Sequence, residues 1–348
     1  MEFGMQFFPC VGPEQKSGAQ YFDECLRLVE FCDRYGWGHV RTVEHYFRAY
    51  GGYTPNPVVF LAAAAQRTKK ARLVTGAVLP VFNNPLKLAG EIGMLDAISG
   101  GRLDVGFARA FLPYEFANFK VSVNDSRDRF TEGLEQVRLL LENDNASHEG
   151  KFHSFKNVTS LPRPTQKPRP KFYIASTRTA DSFEFAGRAG HALMSIPIGP
   201  LKDLIPIYRN AWRDAGHPGD GEVMIAFHMF CHEDAKLARE IPRRQFEDYF
   251  VALFESAGEW TQGTSSKDYK GYDVSISRMK NFTLETQIEA GGAWVGTPDE
   301  IKATIRRLEG VIGKFEHASL QINFGTLDFA EAQKSMRLFA KEVIPAFS

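Results

Sequence analysis

The chain has 348 residues and sets 42 Lys and Arg against 42 Asp and Glu. With no surplus of positive charge, a nucleic-acid backbone or an anionic membrane surface is a poor partner. Its four cysteines form no CxxC pair, no run of about 18 apolar residues occurs, and no basic head precedes an apolar stretch, so a reduced cytoplasmic protein is expected, without a structural zinc, a membrane span or a signal peptide.

In chain order, Phe3 to Phe8 reads as a short buried strand stopped by Pro9, and Tyr21 to Tyr35 carries apolar residues at helical spacing before Gly36. His39 to Val43 is the second strand; a loop from Glu44 to Asn56 leads to an alanine-rich helix, Val58 to Gln66. Ala71 to Leu79 and Arg102 to Ala108 are the third and fourth strands, separated by a helix from Pro85 to Ile98. Each strand is an unbroken apolar run, as in a parallel sheet covered on both faces.

A long connection, Arg109 to Asp125, precedes a helix from Ser126 to Leu141 with Asp125 as its expected N-cap. The proline-rich stretch from His148 to Pro170 reads as an irregular or hairpin excursion. Strands at Lys171 to Ala175, Ala192 to Ile196, Val223 to Cys231 and Ala318 to Asn323 bring the count to eight, alternating with helices that include Pro298 to Leu308, for which Thr297 is the expected N-cap. The expected fold is therefore α/β, a (β/α)8 TIM barrel with insertions, in one domain spanning 1–348. Ser256 to Lys280 is polar and aperiodic and reads as a lid or a disordered segment.

Groups at the C-terminal ends of barrel strands share one mouth. His45, just past the second strand, is the first candidate for chemistry, with strand capping as the plain alternative. Glu44 and Glu115 are its candidate partners. Arg109 follows the fourth strand, Arg127 opens the next helix, and Ser176, Thr177 and Thr179 lie between the fifth strand and its helix. Two guanidiniums, hydroxyls and helix N–H groups suit a phosphate or carboxylate, although each residue also suits an ordinary cap or salt bridge. No dinucleotide, P-loop, nucleophile-elbow or HExxH motif is present. His228 and His232 sit at a strand end, where their spacing does not put them on one helical face, and no metal is expected.

The segments Val43-Glu44-His45-Tyr46-Phe47, Asn84-Pro85, Gly101-Arg102, Gly106-Phe107-Ala108-Arg109, Asn124-Asp125-Ser126-Arg127, Lys270-Gly271-Tyr272-Asp273 and Val295-Gly296-Thr297-Pro298, in this order, resemble the bacterial luciferase family of flavin-dependent monooxygenases, particularly its α subunit. The resemblance covers nearly the full length. It implies that His45 acts as an acid or base beside the flavin, that Arg109, Arg127 and the Ser176 to Thr179 turn hold the flavin phosphate, and that Thr75-Gly76 marks a non-proline cis peptide under the ring. Ala108 stands where the α subunit has a reactive cysteine, and Tyr46 where it has a second histidine.

The implied activity uses reduced FMN and O2 to form a flavin peroxide and oxygenate a substrate, with a separate flavin reductase as partner and a homodimer as the assembly. The 29 phenylalanines favour a small hydrophobic substrate, whether aldehyde, ketone, or aromatic or polyketide intermediate. A deazaflavin (F420)-dependent oxidoreductase of the same fold and a non-catalytic flavin-binding protein are the alternatives.

Overall fold

The computed structural model describes residues 1–347. Its strands are β1 (Glu2–Phe7), β2 (His39–Thr42), β3 (Arg72–Val78), β4 (Leu103–Phe107), β5 (Ala146–His148), β6 (Phe155–Val158), β7 (Lys171–Ala175), β8 (Ala192–Ser195), β9 (Val223–Cys231), β10 (Ala293–Gly296) and β11 (His317–Gln321). Parallel pairing runs β1-β2-β3-β4-β7-β8-β9-β11 and returns to β1, closing an eight-stranded barrel. The eight strands expected from the sequence are these eight. Strand β10, which that reading lacks, pairs with the C-terminal part of β9 through residues 293–296 and 228–231.

The helices begin where short polar side chains can satisfy their free N–H groups. Asn56 caps Pro57–Arg67 and Asn84 caps Pro85–Ser99, and Thr297, the N-cap expected from the sequence, forms a capping box with Glu300 ahead of Pro298–Ile312. Asp125 does not cap Ser126–Glu142: its carboxylate lies 3.6 Å from Lys151 Nζ, and no side-chain bond to the helix N–H groups forms. The first helix is Gly18–Val29, and tighter hydrogen-bonded turns continue it toward Gly36. Two further corrections concern connections. Arg109 to Asp125 contains the short helix Pro113–Asn118, and the 256–280 segment is ordered into turns and the helix Tyr272–Met279. The excursion after 146 is a hairpin, β5 with β6.

Strand residues alternate between the outer core and the barrel interior. Val74, Tyr173, Ala192, Met194 and Met224 form an apolar cluster separate from the main core and plug the barrel. Toward the N-terminal ends of the strands lies an ionic floor. Glu2 Oε1 is 3.3 Å from His39 Nδ1 and 3.1 Å from His317 Nδ1, and His317 Nε2 is 3.0 Å from Glu222 Oε2. On the opposite side of the plug, toward the C-terminal ends, Gln6, Arg41, Gly76, Ala108, Ala175 and Ala226 face an open cavity. Among the described residues no helix is long and apolar enough to cross a membrane.

Candidate active site

The cavity opens to solvent at the mouth of the barrel. His45 reaches its wall from the loop after β2, which Gly51 allows to fold closely: Gly51 has φ 79°, and a Cβ there would lie 2.5 Å from His45 Cβ. The imidazole packs among the rings of Phe8, Tyr50 and Phe111. Its Nδ1 is 3.1 Å from Glu115 Oε1, and the same oxygen accepts from the Tyr46 backbone N–H at 2.9 Å. A buried carboxylate beside Nδ1 favours the tautomer with the proton there. Nε2 makes no hydrogen bond among the described residues and is the nitrogen left for a ligand.

Of the two carboxylates considered as partners for His45, Glu115 is the one in contact, and it comes from the short helix that the sequence reading lacks. Glu44 turns the other way. It accepts from Tyr46 OH, from the Leu79 N–H at 3.1 Å and from Asn83 Nδ2 at 2.9 Å. Burial pushes its carboxyl up to about 7, against the pull of these bonds.

Arg109 lines the cavity, while Arg127 lines a smaller adjoining recess that also contains Arg109 and Ser182. Both arginines meet Asp268, from the segment across the mouth. Arg127 Nε donates to Asp268 Oδ1 at 2.9 Å, and Arg109 Nη2 donates to the Asp268 carbonyl at 3.1 Å. Arg109 Nη1 is buried without a hydrogen bond, 4.0 Å from Asp268 Oδ1. Ser176, Thr177 and Thr179 line the same cavity. Thr179 Oγ1 pairs with Ser182 Oγ at 2.8 Å and makes no capping bond to the helix Ala180–Arg188. This donor set fits a phosphate: two guanidiniums already gathered on Asp268, a guanidinium nitrogen with no hydrogen bond and hydroxyls at a helix start.

Gly76 and Ala108 line the cavity, whereas Thr75 does not. The Thr75 hydroxyl is enclosed between strands, donating to Gly106 O at 3.0 Å and accepting from Gly106 N at 2.9 Å. The non-proline cis peptide joins Gly76 to Ala77, one residue after the expected Thr75–Gly76 position, within the break in β3–β4 pairing between Thr75 and Val78. The structure adds cavity residues that the sequence reading did not single out, chiefly Asp268, Arg41, Arg178 and Tyr249. Arg41 had a readable signal, since alternation along β2 puts it two places from His39, on the same face of the strand.

The segment over the mouth is fixed at several points. Trp260 Nε1 donates to Phe111 O at 2.7 Å, Tyr269 OH to Ala110 O at 2.9 Å, and Arg48 to the carbonyls of Glu255 and Ser256. A second, narrow recess shares Gln6, Ile196, Ala226 and Tyr249 with the main cavity and continues along Phe227, Phe250 and Leu253.

The family described as luciferase-like monooxygenase matches residues 1–313. The chain is 29% identical over 347 residues to the oxygenase component of the flavin-dependent trigonelline monooxygenase of Acinetobacter baylyi, covering 96% of this chain and 92% of that protein. Its structure resembles the monooxygenase RslO1 from Streptomyces bottropensis, with a TM-score of 0.89 and 44% identity over 100% of both chains. It also has the fold of the oxygenating constituent of 3,6-diketocamphane monooxygenase from Pseudomonas putida, solved with FMN, with a TM-score of 0.82 and 23% identity over 99% of this chain and 98% of that one.

Proposed function

The chain belongs to the luciferase-like monooxygenase family, and from that premise we propose that it is the oxygenase component of a two-component flavin-dependent monooxygenase. It takes reduced FMN from a separate reductase, uses O2, and oxygenates a small hydrophobic substrate. The observation that carries this reading is one cavity whose wall bears both an arginine-rich anion site and an imidazole backed by a buried carboxylate.

In this reading Arg109 and Arg127 grip the FMN phosphate, helped by the hydroxyls of Ser176, Thr177 and Thr179. Gly76, Ala77 and Ala108, with no side chain or only a methyl group, leave room for the flat ring. Bound reduced flavin supplies the electrons; one oxygen atom enters the substrate and the other leaves as water. His45 holds or moves a proton at Nε2, while Glu115 keeps the ring oriented. Phe8, Tyr50 and Phe111 exclude water around it. The 256–280 segment acts as a lid that opens for the cofactor and closes over it. The second recess, with Ile196, Phe227, Phe250 and Leu253, suits the body of an aldehyde, a ketone or an aromatic intermediate.

A homodimer fits this picture. Val59 on the helix Pro57–Arg67 and Leu86 and Met94 on its neighbour Pro85–Ser99 are exposed apolar residues on adjacent helices. The test is to supply the protein with a flavin reductase, FMN and NADH under labelled dioxygen and to read candidate substrates by mass spectrometry. Label in the product supports the reading. Turnover without oxygen on a reduced deazaflavin, with none on FMN, would overturn it.

A further inference from the structure

Arg41 reaches the cavity from β2 and is only 5% exposed. It donates from Nη1 to Gln6 Oε1 and from Nη2 to Gly76 O at 3.0 Å, and its Nε is buried without a partner. Both acceptors are neutral, and a guanidinium carries more N–H donors than the two engaged here. Among the described residues no carboxylate pairs with it. The acids at the site are engaged elsewhere, Glu44 with Tyr46, Leu79 and Asn83, Glu115 with His45 and Tyr46, and Asp268 with Arg127. Burial pulls the Arg41 pKa down to about 10, which leaves it charged at neutral pH.

An uncompensated buried charge is costly, yet the surroundings are arranged to keep this one in place. Gln321 Nε2 donates to Phe8 O at 2.8 Å, which points Gln321 Oε1 at Gln6 Nε2, 3.4 Å away. That contact in turn aims Gln6 Oε1 at Arg41. Gly76 completes the fit, because a Cβ there would collide with Arg41 Nε. Side chains from β1, β2 and β11 therefore hold a cation, with donors to spare, on the floor of an open cavity.

We propose that Arg41 is the receptor for a planar, delocalised anion on the cavity floor, supplied either by the deprotonated ring of the reduced cofactor or by an enolate or phenolate form of the substrate. The first source rests on the flavin reading above; the second does not. A group with this role favours the charged form of its ligand over the neutral form.

The experiment uses the full chain and Arg41→Met, with Arg41→Gln in reserve should the methionine variant not fold. Replacing an unpaired buried charge by an apolar side chain leaves the thermal midpoint unchanged or higher, whereas loss of a purely structural bracket lowers it. One arm measures the affinities of oxidised and anaerobically reduced FMN. The other records, from its absorbance, the fraction of bound 4-nitrophenol present as phenolate. The preference for the anionic form is expected to fall by about tenfold or more in the variant, and Arg41→Lys to restore part of it. Loss in the FMN arm assigns the site to the cofactor ring, loss in the probe arm to the substrate, and loss in both to a floor that accepts either. An unchanged preference in both arms overturns the proposal. If neither FMN form binds the unmodified protein, the flavin reading falls, and the probe arm alone decides Arg41.

Discussion

Asp268 Oδ1 accepts a hydrogen bond from Arg127 Nε at 2.9 Å while the backbone carbonyl of the same residue accepts from Arg109 Nη2 at 3.1 Å. One aspartate of the segment over the mouth thus engages both guanidiniums. In the proposed reading its carboxylate competes with the cofactor phosphate for the same guanidiniums, so binding the anion requires this segment to give up that contact.

Asp268→Asn removes the competing charge and keeps the side-chain shape. Affinity for FMN is expected to rise by about threefold to tenfold, because the displaced pair is partly open to water and is worth on the order of 1 kcal/mol. Equilibrium titration of FMN fluorescence checks this, and weaker binding by the variant would show that Asp268 helps the ligand instead of competing with it.

His45 and Glu115 form a unit with a distinct signature. His45→Ala is expected to leave FMN affinity within about threefold and to reduce product formation by about a hundredfold or more, the usual range for loss of a positioned acid or base. Glu115→Gln keeps the bulk but not the charge beside Nδ1, so its effect on product formation should be smaller and in the same direction. Single-turnover rates with substrate separate this from a binding defect; unchanged turnover in His45→Ala removes the imidazole from the chemistry.

The ionic floor gives a pH dependence of stability. Burial alone would pull His317 down, but its bonds to Glu2 and Glu222 push it up to about 9, above its ordinary 6.5. The folded state therefore keeps a proton that the unfolded chain releases, and this contribution is full below about 6.5 and lost as pH rises through about 9. The bond from His317, with help from Lys171, holds Glu222 down to about 2 against its ordinary 4.5, so its contribution is full above about 4.5 and lost as pH falls toward about 2. His317→Ala should cost about 1–2 kcal/mol near pH ~5.5, a modest value because both carboxylates remain partly in water, and much less near pH ~10. Denaturant melts at the two pH values measure the difference, and a cost independent of pH would refute the assignment.

Much of the barrel was legible because its strands are apolar runs with hard ends. Lys171–Ala175 follows Pro170, and Val223–Cys231 ends before the polar His232-Glu233-Asp234, so both match the expected bounds. Strand β10 was not legible: four residues between Gly292 and Thr297 are too few to display a period, and the tight stacking of Trp294 on Phe227, with ring centroids 4.2 Å apart, is a tertiary fact. Asp268 lies in an aperiodic polar stretch, 141 residues from the Arg127 it meets, and nothing local announces that pairing. His45, Arg109 and the Ser176 to Thr179 turn were readable because barrel topology carries strand ends to one mouth whatever their separation in sequence.

The central claim is that Arg109 and Arg127 hold the cofactor phosphate, and it is tested most directly by titrating FMN, and riboflavin as the phosphate-free control, into the unmodified protein and the Arg109→Ala, Arg127→Ala double variant. Each charge-assisted contact is worth about 1.5–3 kcal/mol, so FMN affinity should fall by about a hundredfold or more, while riboflavin binding stays nearly constant. Equal FMN affinity in the two proteins, or an equal loss for riboflavin, would contradict the account.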